Sequence, residues 1–230
     1  MSTTLVGYDT KPEYYFERAR PEMLPFVPAD CHRMLDVGCG TGTFGQMLKQ
    51  TREIEIWGLE PVKSAAAKAS TRLDHVINGP FDPEIELPVG TFDCVVFNDV
   101  LEHMVAPEQA LRYTKVLLSQ GGTIVASIPN VRFLKVLWGL VFRGQWEYVD
   151  EGVLDKTHLR FFTKSSILKM FQSEGYLLES ISGINAYQAA PGVRRFLWGA
   201  YRVANALSFG KFGDIQFRQF VVVAKASPAL

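Results

Sequence analysis

The chain has 230 residues, and its 24 basic side chains balance 24 acidic ones. With 47% hydrophobic and 21% charged residues it can bury a full core, which excludes disorder and collagen-like repeats. Zero net charge argues against long nucleic acid as a partner, because phosphate contacts need a clustered basic surface.

Three cysteines, Cys31, Cys39 and Cys94, are an odd number with no zinc-knuckle spacing, which fits a reducing compartment. The opening residues lack the basic start and apolar run of a signal peptide. The most apolar run, Phe133 to Phe142, falls short of the roughly 20 residues that span a bilayer. A cytoplasmic location is therefore expected.

Residues 1–30 form an N-terminal arm, expected to be helical over about 8–30 and broken at Pro21, Pro25 and Pro28. Strands and helices then alternate. Strands are expected at Arg33–Val37, Ile54–Leu59, His75–Asn78, Phe92–Asn98 and Gly122–Ile128. Helices are expected at Thr43–Gln50, Val62–Thr71 and Pro107–Ser119. Such alternation implies βαβ units and a parallel sheet covered on both faces. Residues 131–160 read as a lid insert, with Val131–Arg143 apolar and basic. Thr163–Ser173 reads as a helix capped by Thr163. Tyr176–Ile184 and Ile215–Ala224 read as a closing antiparallel pair. Between them residues 188–213 form a second insert, helical near Val193–Leu207. No linker divides the chain, so one domain over 1–230 is expected.

The segment from Leu35 to Gly45 sits at a strand-to-helix turn, with glycines at 38, 40 and 42 that let a ligand approach the backbone closely. A P-loop would need Gly-Lys-Ser/Thr, which is absent, and the G-x-G-x-x-G fingerprint would need glycine where Thr43 stands. The next strand ends in Glu60-Pro61. An acid there lies beside the glycine loop and can accept hydrogen bonds from a ribose diol; the alternative is a solvated acid at a helix start.

Asp36-Val37-Gly38-Cys39-Gly40-Thr41-Gly42 followed by Glu60 resembles motif I and the ribose-binding acid of class I S-adenosylmethionine-dependent methyltransferases. The resemblance runs on through Phe92–Asn98 and Gly121–Ile124 and covers most of residues 30–187. It implies a Rossmann-like α/β fold: a seven-stranded, mostly parallel sheet with one antiparallel strand, plus helical lid inserts. It also implies S-adenosylmethionine as cofactor and S-adenosylhomocysteine as product. In the family's manner Asp36 and the loop Gly38, Cys39, Gly40, Thr41 and Gly42 would hold the methionine end. Glu60 and Pro61 would hold the ribose, and Gly79, Pro80, Phe81 and Asp82 would flank the adenine. Asn98 and Asp99 would lie under the sulfonium. The arm around Tyr14–Glu22 resembles that of a subgroup with a Leu-Glu-His after strand four and an Asp-x-Thr-His-x-Arg-Phe-Phe later, many members of which accompany glycan or secondary-metabolite enzymes. There Tyr15 and Arg20 would reach the methionine carboxylate.

Methyl transfer to a hydroxyl needs positioning and removal of a proton, or a metal that acidifies the hydroxyl. Two segments offer this, Asn98–Met104 and Asp155–Phe162. If the first is helical, Asp99, Glu102 and His103 share a face. With His158 they resemble the metal site of small-RNA 2′-O-methyltransferases, although Asp99 is a methylene shorter than the usual Glu; Mg²⁺ or Mn²⁺ would suit such a set. Without a metal, His103 or His158 is a general base. In the third reading these groups make loop-capping hydrogen bonds, Asp99 and Glu102 near a helix start with His158 and Arg160 pairing with them; Asp155 is equally a candidate salt-bridge partner of Arg160.

Val131–Arg143 and Pro191–Gly213 hold seven basic side chains, no acid and many aromatics. They read as packed lid helices, as walls of a pocket for a bulky acceptor, or as peripheral contact with an anionic membrane at its inner face. The expected activity is O-methylation of a small-molecule or saccharide hydroxyl. The alternatives are metal-dependent RNA 2′-O-methylation and a catalytically silent cofactor-binding partner.

Overall fold

The computed structural model describes residues 11–187 and 205–226. Seven strands form one sheet: β1 (Arg33–Val37), β2 (Glu55–Glu60), β3 (His75–Asn78), β4 (Phe92–Asn98), β5 (Leu118–Pro129), β6 (Tyr176–Ala186) and β7 (Phe217–Ala226). Their order is β3-β2-β1-β4-β5-β7-β6. The pairs from β3 through β5 are parallel, and β7 runs antiparallel to both β5 and β6. The expected sheet, with its one reversed strand, is what the chain forms.

The central strands are continuous apolar runs because both their faces are covered. Along β4, Val95 and Phe97 enter one core while Cys94 and Val96 enter the other. The first core is closed by α3 (Pro107–Leu117) and α5 (Lys164–Ser173), through Leu111, Leu117, Ile167 and Phe171. The second is closed by α1 (Thr43–Lys49) and α2 (Lys63–Ala69), through Phe44, Leu48 and Ala69, and by Met23 and Val27 of the arm. Thr163 caps α5 as expected: its hydroxyl accepts from Ser166 N at 3.2 Å, and the Ser166 hydroxyl accepts from Thr163 N at 2.9 Å.

Element ends differ from expectation by a few residues. β5 reaches back to Leu118, so α3 stops at Leu117 rather than Ser119. The arm holds two short 3-10 helices, Glu13–Glu17 and Pro21–Phe26, because its prolines break any longer helix. The insert from Val131 contains α4 (Leu134–Arg143), none of whose residues is buried. The expected helix near Val193–Leu207 lies largely outside the described residues. Cys31, Cys39 and Cys94 are buried, free thiols.

Candidate active site

The order of the sheet reverses between β1 and β4, and an open α/β sheet binds ligands beyond the carboxyl ends of its strands at that point. A cavity of about 700 Å³ opens there. Asp36, Gly38, Cys39, Gly40, Glu60 and Pro61 line it, as do Phe81, Asn98, Asp99 and the arm residues Tyr15 and Arg20. Of the residues expected around the cofactor, Gly42 is not on the wall, and neither is Thr41. Its N–H and hydroxyl instead bond the Phe16 carbonyl, at 3.0 and 3.1 Å, and fasten the arm to the loop.

The glycine loop behaves differently from a phosphate cradle. Gly38 N and Cys39 N bond the Leu59 carbonyl, Gly40 N bonds Glu60 and Gly42 N bonds the Cys39 carbonyl. The loop is therefore a shaped wall, with its own N–H groups already engaged. Gly40 shows why the shape needs glycine. Its φ is +56°, and a Cβ there would stand 2.5 Å from the Phe16 carbonyl oxygen.

What remains for a ligand is a set of acceptors. Both carboxylate oxygens of Asp36 and Oδ1 of Asn98 are buried without a hydrogen-bond partner. Glu60 accepts from Gly40 N and Val62 N, each at 2.9 Å, which leaves lone pairs on both oxygens. Burial, reinforced by the nearby Glu60, pushes the Asp36 carboxyl up to about 8, and burial also raises Glu60. Such a wall suits a ligand that brings N–H and O–H donors. An amino-acid ammonium and a ribose diol are that kind of donor, so the cavity fits S-adenosylmethionine.

A second cavity of about 310 Å³ lies alongside. Tyr15, Arg18, Arg20, Asp99 and His103 line both cavities, so they are the wall between them. Glu102 and His158 line only the smaller one. The segment carrying His158 is stitched onto the 3-10 turn Leu101–His103: Leu159 N and Arg160 N both bond the Glu102 carbonyl, at 2.8 and 3.0 Å.

Of the four side chains expected to converge, the structure gathers Glu102, His103 and His158, whose ligand atoms lie within 4.8 Å of one another. Asp99 departs from the helical face expected of it. Its φ is +56°, so it sits before the turn rather than on it. Its oxygens accept from Ser127 Oγ at 2.9 Å and Gln219 Nε2 at 2.6 Å, and from the Arg20 guanidinium. Arg20 also bonds Glu22 and Ser127, so its head is turned to these neighbours.

Each imidazole in the trio places Nδ1 against a backbone carbonyl, His103 on Thr157 and His158 on Val153, both at 3.0 Å. A carbonyl only accepts, so Nδ1 carries the proton and Nε2 the lone pair of the neutral ring. Burial lowers both rings, His103 to about 4 with help from His158, so both are neutral at neutral pH. Glu102 is fully buried with neither carboxylate oxygen hydrogen-bonded, and burial followed by the Asp99 charge raises it well above the usual carboxylate range. Asp155 does not pair with Arg160. It forms a buried ion pair with Lys11 of the arm, 2.7 Å to Oδ1, while Arg160 bonds the Val105 carbonyl.

Sequence reasoning missed Lys11, Arg18 and Gln219. Gln219 had a signal, a buried polar residue in an apolar strand; Lys11 had none, because its partner is 144 residues away.

Residues 8–181 match the family model described as "Methyltransferase domain". The chain belongs to this methyltransferase family. It has the Rossmann-like fold of known methyltransferases. Among curated relatives, the ubiquinone biosynthesis O-methyltransferase of Chromobacterium violaceum is 27% identical over 161 residues, which is 66% of this chain and 67% of that one. The protein of that name from Aliivibrio fischeri MJ11 is 29% identical over 160 residues, with the same coverage. A methyltransferase from Archaeoglobus fulgidus shares the fold with a TM-score of 0.66 at 17% identity, covering 94% of this chain and 96% of that one. So does the 1,6-didemethyltoxoflavin-N1-methyltransferase of Burkholderia thailandensis, with a TM-score of 0.60 at 13% identity, covering 93% and 80%. No helix among the described residues is long and apolar enough to cross a membrane.

Proposed function

We propose that this methyltransferase O-methylates a small hydroxylated molecule or a saccharide hydroxyl, with the cofactor in the larger cavity and the acceptor in the smaller one. The observation that carries the reading is the wall common to both cavities, which includes Asp99 and His103. The smaller cavity, about 310 Å³, suits a small acceptor. Relatives named as ubiquinone biosynthesis O-methyltransferases support a hydroxyl acceptor.

The bound cofactor supplies an already activated methyl group, so the chain's task is to position the acceptor and take a proton. In this reading Asp36 and Glu60 receive the ligand's N–H and O–H donors, with Gly38, Cys39, Gly40 and Pro61 shaping the wall. Phe81 flanks the adenine, and Asn98 and Asp99 line the methyl end. Tyr15 and Arg20 close the site from the arm. His158, lone pair at Nε2, accepts the acceptor's proton; His103 presents its own Nε2 beside it. Labelled cofactor offered with a panel of phenols, catechols and sugars tests the activity. His103→Ala and His158→Ala should each lower kcat about 100-fold while S-adenosylhomocysteine affinity stays near wild type. Unchanged kcat in both returns the rings to structural roles.

A metal-assisted version is favoured by one observation, the buried Glu102 carboxyl that has no hydrogen bond and is grouped with His103 and His158, their ligand atoms within 4.8 Å of one another. Glu102, His103 and His158 would hold a divalent ion, which would acidify a bound hydroxyl. Two imidazoles and one carboxylate suit Mn²⁺ better than Mg²⁺, which prefers oxygen. Manganese that survives dialysis in the wild type and is lost in Glu102→Gln would support this version. Full activity in excess chelator would remove it.

A further inference from the structure

The activity leaves one conspicuous surface unused. Along α4, Trp138 is 54% exposed, Val141 68% and Phe142 69%. The Trp138 and Phe142 rings lie against each other with centroids 4.3 Å apart. Beside the start of α4 runs the turn that enters β7, where Leu207 is 77% exposed and Phe209 95%. The two segments are joined: Leu134 N bonds the Ile215 carbonyl at 2.8 Å, and Arg132 bonds the Lys211 carbonyl and pairs with Asp214 at 3.1 Å. They are therefore tied together at the start of α4 into one surface bearing these apolar side chains.

Its charge says what could cover it. Residues 131–146 and 205–214 carry Arg132, Lys135, Arg143 and Lys211 against the single acid Asp214, in a chain of zero net charge. A second copy meeting this face through a two-fold axis would set these cations against themselves. Exposed Trp, Phe, Leu and Val among Lys and Arg is instead the composition of a helix that lies in a lipid headgroup region. The chain enters this surface from Pro129, at the end of β5, which lines the smaller cavity.

We propose that α4 and the turn at 205–214 dock the enzyme on a bilayer surface bearing anionic headgroups. This goes beyond the methylation reading and does not depend on it, because docking is measured without turnover. The probe is flotation of the full chain with vesicles of phosphatidylcholine alone and of phosphatidylcholine with equimolar phosphatidylglycerol. The protein is expected to float with the anionic vesicles, to stay behind with the neutral ones, and to be released in 1 M salt, where the screening length falls to about 3 Å. A Val141→Ser/Phe142→Ser double variant should lose at least about tenfold in bound fraction. Val89→Ser, which removes a 65% exposed apolar residue elsewhere, should lose nothing. Retained S-adenosylhomocysteine binding in the double variant shows that it folds. Absence of flotation with anionic vesicles, or equal flotation of wild type and double variant, overturns the proposal. So does a concentration-dependent dimer in sedimentation that the double variant abolishes, which gives the face to a second copy.

Discussion

Asp36 is a buried carboxyl whose two oxygens have no hydrogen-bond partner, and its ionisation is displaced to about 8 by burial and then by Glu60. A raised carboxyl means that the folded state holds a proton the unfolded state gives up. Stability of the ligand-free protein therefore falls as pH rises from the ordinary aspartate range toward 8. Asp36→Asn should remove that slope. Thermal unfolding of ligand-free wild type and variant across pH 5 to 8 should show the variant gaining about 1–3 kcal/mol on the wild type at the alkaline end. Calorimetric titration should show the same variant binding S-adenosylhomocysteine at least about tenfold more weakly, the cost of a lost charge-assisted hydrogen bond. Parallel pH slopes would mean that Asp36 is ionised throughout.

At the scale of elements, the arm is held by widely spaced fasteners. Thr41 grips the Phe16 carbonyl, Arg20 grips Asp99, and Lys11 reaches Asp155 in a buried pair. Gly40→Ala puts a methyl 2.5 Å from the Phe16 carbonyl at a positive φ, so the arm must lift. Cofactor affinity should then drop about tenfold or more, with little loss of the sheet's own stability. Lys11→Met leaves Asp155 without its cation and should act on the same element. Trypsin should cut at Arg18 and Arg20 at least about tenfold faster, because local opening and not global unfolding exposes them. An unchanged cleavage rate would show that the other fasteners suffice.

On the scale of the whole molecule, the sheet was legible because its signals are local and repeated: apolar runs alternate with helical stretches, and glycines mark turns between them. The larger cavity was legible for the same reason, since Asp36, the glycines and Glu60 all lie at strand ends. The smaller cavity was only half legible. The Glu102, His103 and His158 grouping came from two short motifs, but Asp99 left it because a single positive φ turned its carboxylate toward Ser127 and Gln219. No periodicity encodes such a rotation. The Lys11–Asp155 pair was likewise invisible, being a contact between chain regions far apart in sequence. One global measurement follows from the fit of cofactor to fold. At about 100 times its Kd, S-adenosylhomocysteine should stabilise the wild type by about 2.7 kcal/mol. That should raise Tm by about 2–4 °C per kcal/mol for a chain of this size, and no rise would count against the cofactor cavity.

Tyr15, Arg18 and Arg20 belong to the walls of both cavities at once. A single segment of the arm therefore shapes both cavities. With the cofactor in the larger cavity and the acceptor in the smaller one, as proposed, a shift of that segment would alter both sites in one motion.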